Sequence, residues 1–281
     1  MIINQNVNHT QFQKGFNIQG KTVLVTGANR GIGKAIVDSC LKHGATKVYG
    51  AVRNLGTATP LLEQYGDKFV PIYLDYCQPD TIITAASLAT DVDLVINNAG
   101  ILNNANPLDD NAVEMLQEEI NINVFGLMRI ARAFSPVLKE NGGGAFVQLN
   151  SVASIKCFVN TATYCASKAA AYSITQALRD ILEKQGTLVI SVHPGPMDTA
   201  MAVKAGVEKW AESPDLVGEG IIAALKVGAF HLFPGSHGTK IGHAYQSFAQ
   251  EIIDIDFEKQ RELTNVPNKD LERILAKSAT M

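Results

Sequence analysis

The sequence predicts one α/β domain: a doubly wound parallel sheet of about seven strands with helices on both faces. Three observations predict it. Short β-branched runs alternate with helix-period segments along most of the chain, the pattern of a parallel sheet with both faces covered. The first run, Lys21–Thr26 (KTVLVT), leads into a glycine-rich turn and then a helix. No repeat or low-complexity tract interrupts the alternation. Right-handed crossovers then leave few topologies to consider.

Taken in order, Lys21–Thr26 reads as a buried strand and Ile32–Lys42 as a helix, which Gly44 stops. Val48–Val52 is the second strand. Phe69–Leu74 is the third, after a weaker helix, and Leu94–Asn97 the fourth, after a helix near Thr81–Ala89. One long helix is expected over about Ala112–Lys139, where Met115, Ile120, Val124, Leu127 and Ile130 recur at helical intervals. The turn Gly142-Gly143-Gly144 precedes the strand Ala145–Leu149. A second long helix spans about Thr163–Glu183, and the strands Leu188–Val192 and Phe230–Phe233 follow. Residues 1–20 read as an arm before the domain, 21–235 as the domain itself, and 236–281 as a helical extension packed on it. Ile241, Tyr245, Phe248 and Ile252 carry the helical period of that extension.

Composition narrows the class. The 281 residues are enough for a full core, and 46% are apolar. A formal charge of −3 carries no footprint for nucleic acid. Cys40, Cys77, Cys157 and Cys165 form no CxxC pair and no metal-ligand spacing, so they are expected as free thiols in a reducing compartment. The polar stretch Met1–Gln19 shows no leader pattern, and no apolar run approaches the roughly 20 residues of a membrane helix. The expected location is the cytoplasm, with no membrane partner.

The turn after the first strand is Thr26-Gly27-Ala28-Asn29-Arg30-Gly31-Ile32-Gly33. Glycine permits the tight turn and lets the backbone approach a pyrophosphate. The helix behind it offers unpaired N–H groups and a positive dipole end. Gly27, Asn29, Arg30, Gly31, Ile32 and Gly33 are therefore expected against a dinucleotide in a Rossmann-type fold. An NAD site usually ends its second strand in an acid that holds the ribose 2′-hydroxyl. Here that position is Val52, and Arg53 follows. Arg53, with Arg30 in reach, suits a 2′-phosphate, so the expected cofactor is NADP(H).

Tyr164 and Lys168 form YxxxK and share one face of their helix. A tyrosine, with pKa about 10, needs a shift of roughly 3 units to exchange protons near neutrality, and a neighbouring ammonium supplies one. Lys168 also has the reach for ribose hydroxyls. Ser151 ends the preceding strand, where its hydroxyl can orient a substrate oxygen. Asn123, beside Gly126 in the long helix, is an unusual interior residue with a hydrogen-bonding job, as a kink or as part of a proton relay.

Together these residues resemble the short-chain dehydrogenase/reductase family over about Gly20–Thr199. TGxxxGxG stands at Thr26–Gly33, NNAG at Asn97–Gly100, and PGxxxT at Pro194-Gly195 with Thr199. The resemblance implies a catalytic set of Asn123, Ser151, Tyr164 and Lys168. It also implies that Asp75 contacts the adenine, and that Asn98, Gly100, Pro194 and Thr199 line the cofactor. Hydride would pass between nicotinamide and a carbonyl or alcohol, Tyr164 acting as acid/base, Lys168 lowering its pKa, Ser151 holding the oxygen and Asn123 supporting a water chain. Two long helices, with Ala169-Ala170-Ala171 on one, are expected to form a homodimer; the extension puts a tetramer in doubt.

Substrate contacts are expected from Ser154, Phe158, Val159, Met197, Met201 and Trp210, a mostly apolar set that suits a hydrophobic aldehyde or ketone. His193 is read as a packing or backbone-binding residue, and His231, His237 and His243 as surface or loop residues. Three other readings stand beside the lead: an NADP(H)-sensing regulator without turnover, an epimerase or dehydratase of the extended type, and an NAD-preferring dehydrogenase.

Overall fold

The computed structural model describes residues 2–3 and 15–254. Seven parallel strands form the sheet: β2 (Thr22–Thr26), β3 (Lys47–Val52), β4 (Phe69–Tyr73), β5 (Leu94–Asn97), β6 (Ala145–Leu149), β7 (Leu188–Val192) and β8 (His231–Phe233). A two-residue strand, β1 (Ile2–Ile3), pairs antiparallel with β8 at the edge. The order β1-β8-β7-β6-β5-β2-β3-β4 reverses direction between β2 and β5. Such a reversal opens a crevice beyond the carboxyl ends of the strands, where ligands bind in open α/β sheets.

The strands alternate their side chains between two cores, as the pleat requires. Val23 and Val25 point to one face, where they join Ile36 of α1 (Gly31–Lys42) and Val217 and Ile221 of α8 (Asp215–Val227). Leu24 points to the other, with Val95, Phe146, Ile82 of α3 (Pro79–Leu88) and Leu127 and Phe134 of α5 (Gly126–Glu140). Phe146 is fully buried; truncating such a side chain costs about 3–5 kcal/mol. A short helix, α2 (Thr59–Tyr65), lies between β3 and β4.

Where one helix was expected from Ala112 to Lys139, the chain forms α4 (Ala112–Glu119), a π-helical turn (Ile120–Phe125) and α5. The reason is packing. A Cβ on Gly126 would lie 2.4 Å from the ring of Tyr76, so the helix passes over a buried tyrosine at its glycine. The second long helix is α6 (Ala162–Glu183).

The described end of the N-terminal arm is bound to the domain. Phe16 N–H donates to Leu225 O at 2.7 Å, and Ile18 is buried. Residues 4–14 of the arm lie outside the described residues. After β8 comes α9 (Gly235–Phe248), in which Ile241 and Tyr245 are half-buried. The chain divides into two compact units at Tyr245 and Gln246. Phe248 and Ile252 belong to the second, whose described part includes a π-helical turn, Ala249–Ile253; the expected extension from residue 255 lies outside the described residues. No described helix is long and apolar enough to cross a membrane.

His231 departs from the sequence reading. It is not a surface or loop residue but a buried residue of β8, with Nε2 2.6 Å from the Tyr172 hydroxyl. A histidine enters a strand core when its ring nitrogen finds such a partner. His237 and His243 are exposed on α9.

Candidate active site

The glycine loop is held from behind by the chain that follows β5. Thr26 Oγ1 accepts N–H bonds from Asn98 at 2.9 Å and Ala99 at 3.0 Å, and Asn98 Nδ2 donates to Thr26 O at 2.8 Å. The Asn98 amide thus fastens the loop. Tyr76 adds a third tie, its hydroxyl 2.9 Å from Thr26 Oγ1 and in hydrogen bond with Asn97 Oδ1. Sequence reasoning missed Tyr76; its one signal was an aromatic residue directly after Asp75.

Gly27 and Gly31 adopt positive φ, 64° and 51°, which side chains resist. At Gly33 a Cβ would lie 2.0 Å from Gly27 O. The loop thereby packs close against the start of α1, whose first N–H groups have no partner within the helix. Thr199, which caps α7 (Ala200–Lys204), stands against the loop: its Cγ2 is 3.0 Å from the Cβ position at Gly31. The PGxxxT segment and the glycine loop therefore meet in space.

At the end of β3, Val52 is buried and Arg53 exposed. Arg30 is exposed at the start of α1, and Asn29 Nδ2 donates to Thr57 Oγ1 at 3.0 Å, tying the loop to the turn after Arg53. Among the described residues neither arginine enters an ion pair. Asp75 follows β4; its Oδ1 accepts the Cys77 N–H at 2.9 Å.

Ser151, Tyr164, Lys168 and Asn123 come together beyond β5 and β6. Ser151 Oγ accepts the Ala153 N–H at 3.1 Å, and its hydroxyl favours the Tyr164 phenolate. Tyr164 lies in the first turn of α6 among Leu102, Ala153 and Cys165, with Ala205 packed alongside. One turn on, Lys168 Nζ is 5.8 Å from the Tyr164 ring centroid and donates to Leu149 O at 2.8 Å. Gly100 lies beside it, its Cβ position 3.7 Å from Lys168 Nζ and 3.0 Å from Asn123 Oδ1. Asn123 sits in the π-helical turn. Its Oδ1 accepts the Ile101 N–H at 2.9 Å, and its Nδ2 donates to Ile101 O at 3.0 Å and Ser167 Oγ at 2.9 Å.

Burial acts on the two titrating groups in opposite senses. It pushes the Tyr164 phenol up, and the influence of the Ser151 hydroxyl offsets only part of that. It pushes the Lys168 ammonium down, to about 8. Desolvation disfavours whichever form is charged. The downward pull of Lys168 on Tyr164 expected from the sequence is not among the causes that act on the phenol; burial sets the direction. Glu119, which sequence reasoning also missed, is fully buried at the end of α4, where its Oε1 accepts the Asn103 N–H at 2.6 Å. Burial raises its pKa as well.

Of the expected substrate contacts, Phe158, Val159, Met201 and Trp210 are exposed. Ser154 and Met197 are buried instead. Ser154 Oγ accepts the Ser151 N–H at 3.2 Å, and Met197 Cε sits 2.8 Å from the Cβ position at Gly235. Both hold the frame.

Residues 21–210 match the short chain dehydrogenase family. The chain belongs to that family. Among short-chain dehydrogenase relatives, an NADP-dependent 3-hydroxy acid dehydrogenase of Schizosaccharomyces pombe is 28% identical over 66% of this chain and 75% of its own. A 3-oxoacyl-[acyl-carrier-protein] reductase of Vibrio cholerae is 30% identical over 66% of this chain and 77% of its own. A crystal structure of a short chain dehydrogenase from Burkholderia cenocepacia in complex with NADP superposes with a TM-score of 0.75 at 33% identity, covering 84% of this chain and 98% of that one. This short-chain dehydrogenase is thus an oxidoreductase with a Rossmann-type fold.

Proposed function

We propose that the chain is an NADP(H)-dependent carbonyl reductase or alcohol dehydrogenase. The observation that carries this reading is the convergence of Ser151, Tyr164 and Lys168 beside the crevice that the glycine loop opens. The cofactor reading rests on the residues that line the crevice. Gly33 lets the glycine loop pack onto the start of α1, where any Cβ would collide with Gly27 O, and the position that would hold a ribose 2′-hydroxyl is the buried Val52. Arg53 and Arg30 stand exposed without a carboxylate partner among the described residues, as a 2′-phosphate site requires. Gly27, Asn29, Gly31 and Ile32 would hold the pyrophosphate; Asp75, Asn98 and Gly100 would flank the adenine and the ribose, and Pro194 and Thr199 the nicotinamide end. The names of relatives that bind NADP support the same choice.

When bound, the nicotinamide supplies or takes up the hydride. The chain does the rest. Ser151 Oγ accepts the Ala153 N–H, so its own hydrogen is available to the Tyr164 and substrate oxygens. Tyr164, kept protonated by burial, is the proton donor in the reductive direction. The phenolate it leaves is a buried anion, and the Lys168 ammonium is the cation placed to stabilise it. Asn123 binds both peptide groups of Ile101 and, through Ser167, the first turn of α6; its support of a water chain is part of this proposal. The exposed apolar set Phe158, Val159, Met201 and Trp210 suits a hydrophobic aldehyde or ketone. A homodimer is also proposed, to be tested by the mass in solution.

The experiment is NADPH oxidation with a panel of aldehydes and ketones, wild type beside Tyr164→Phe. The expected result is turnover by the wild type and its loss in the variant, with NADPH affinity retained. Full activity in Tyr164→Phe removes the assigned role, and turnover with NADH alone removes the cofactor assignment.

A further inference from the structure

The end of β7 holds the residues around Ser151. Asn150 N–H donates to Val192 O at 2.8 Å, and Val152 N–H to Pro194 O at 3.1 Å. Pro194 has no N–H with which to return the next rung of the parallel ladder. Between these two rungs the imidazole of His193 reaches back, with Nδ1 3.1 Å from Ser151 O. The ring is fully buried, edge-on to Tyr172 at 4.7 Å and stacked on Phe233 at 4.9 Å.

The neighbours decide where its proton sits. A carbonyl only accepts, so Nδ1 carries the hydrogen. Burial holds the ring neutral, its pKa pushed down to about 4, so Nε2 carries none. Ser191 Oγ, 2.8 Å from Nε2, must then donate to it. It is placed to do so because it accepts from Asn150 Nδ2 at 2.9 Å. Asn150 Nδ2 also donates to Thr175 Oγ1 at 3.2 Å, which donates to Ala171 O at 2.7 Å. The polar chain that ends on Ser151 therefore has one direction.

The Val152 N–H of the same peptide goes to Pro194 O, and the other bonds on the Ser151 N–H and carbonyl come from its own 3₁₀ turn. Ser154 N–H donates to Ser151 O at 2.9 Å, and Ser154 Oγ accepts from Ser151 N–H at 3.2 Å. Those partners move with the turn. Among the described residues, His193 is the donor to the Ser151 carbonyl that the sheet supplies.

We propose that His193 is a positioning residue: its Nδ1–H fixes the Ser151 carbonyl to the sheet and so sets where the Ser151 hydroxyl meets the substrate oxygen. The inference rests on the carbonyl-reductase reading above. It gives His193 a part in turnover although the ring touches neither substrate nor cofactor.

Two variants of the full chain test it. His193→Phe keeps the ring packing against Tyr172 and Phe233 and removes the donor. His193→Asn places an amide N–H where Nδ1–H was. With NADPH and the best carbonyl substrate, kcat is expected to fall about tenfold in His193→Phe and to recover within about threefold of wild type in His193→Asn, since small displacements of an orienting group act on the rate. NADPH affinity is expected to stay unchanged in both. Full kcat in His193→Phe overturns the inference, as does a loss in His193→Asn equal to that in His193→Phe, which would mark a packing role. Nitrogen-15 NMR of the histidine-labelled wild type supplies a readout that needs no turnover. An Nδ1–H tautomer is expected, and an Nε2–H tautomer overturns the inference. A wild type that reduces no carbonyl sinks the functional reading instead, and the tautomer then decides the His193–Ser151 bond separately.

Discussion

Asn123 Nδ2 donates to Ser167 Oγ at 2.9 Å, and Ser167 Oγ in turn donates to the carbonyl of Tyr164 at 2.8 Å. The π-helical turn and the first turn of α6 are thereby joined by a buried relay of two side chains. Asn123 also closes both hydrogen bonds of the Ile101 peptide. Replacing it with Ala leaves several buried groups without partners, each worth about 1–3 kcal/mol. The expected loss in Asn123→Ala is about 2–4 kcal/mol of stability, together with reduced turnover. Urea unfolding checks the first and kcat the second. A variant with wild-type stability would mean that these bonds are replaced by water.

Arg53 is exposed, follows the buried Val52 and has no carboxylate partner among the described residues. A charge-assisted contact contributes about 1.5–3 kcal/mol, so Arg53→Ser is expected to weaken NADPH binding roughly tenfold or more. NADH binding should hardly change. Calorimetric titration with both nucleotides measures the difference; equal effects on the two would mean that Arg53 does not read the 2′-phosphate.

Gly33 leaves no room for a side chain, with Gly27 O 2.0 Å from the Cβ position. In Gly33→Ala the loop must move away from α1, and the first N–H groups of the helix lose their aim. The expected outcome is at least a roughly tenfold loss of dinucleotide affinity, the scale of one lost anion contact, with the far-ultraviolet circular dichroism of the fold retained. Unchanged affinity would show that the phosphates sit elsewhere.

Acid should destabilise the chain through its buried histidines. Burial pushes His193 from its ordinary 6.5 down to about 4, and His231 well below 6.5. The unfolded chain takes up protons near 6.5 that the folded chain refuses, so stability falls as pH drops through 6.5 and stops falling near the folded value. For His193 the window is 6.5 to about 4, and the full loss is about 3 kcal/mol. Lys168, pushed from 10.5 to about 8, acts at the other end: stability rises with pH across that interval as the unfolded chain holds the proton longer. Denaturation midpoints at pH 7 and pH 5 test the acid limb. His193→Asn should flatten it, and an equally steep fall in that variant would assign the effect to other groups.

Much of the fold was legible along the chain because its causes are local. The glycines at Gly27, Gly31 and Gly33 are required by backbone conformation and close approach, both of which follow from residue type and spacing. Tyr164 and Lys168 share a face because of the helical repeat, whatever surrounds them. The strands Val48–Val52, Leu94–Asn97, Ala145–Leu149 and Leu188–Val192 announce themselves as short apolar runs bounded by turns. What tertiary structure alone decided is where polar groups find partners. His231 reads as a surface residue until the Tyr172 hydroxyl, from another element, supplies its hydrogen bond. Tyr76 looks like a loop aromatic until it meets Thr26, Asn97 and the glycine of α5. Glu119 is an ordinary residue on paper and ends buried on the Asn103 amide; His193 reads as a packing or backbone-binding residue, and the fold decides that its partner is the Ser151 carbonyl. The sign of the Tyr164 shift was likewise beyond the reach of spacing. It depends on how much water the surrounding elements exclude, and desolvation is a property of the assembled fold.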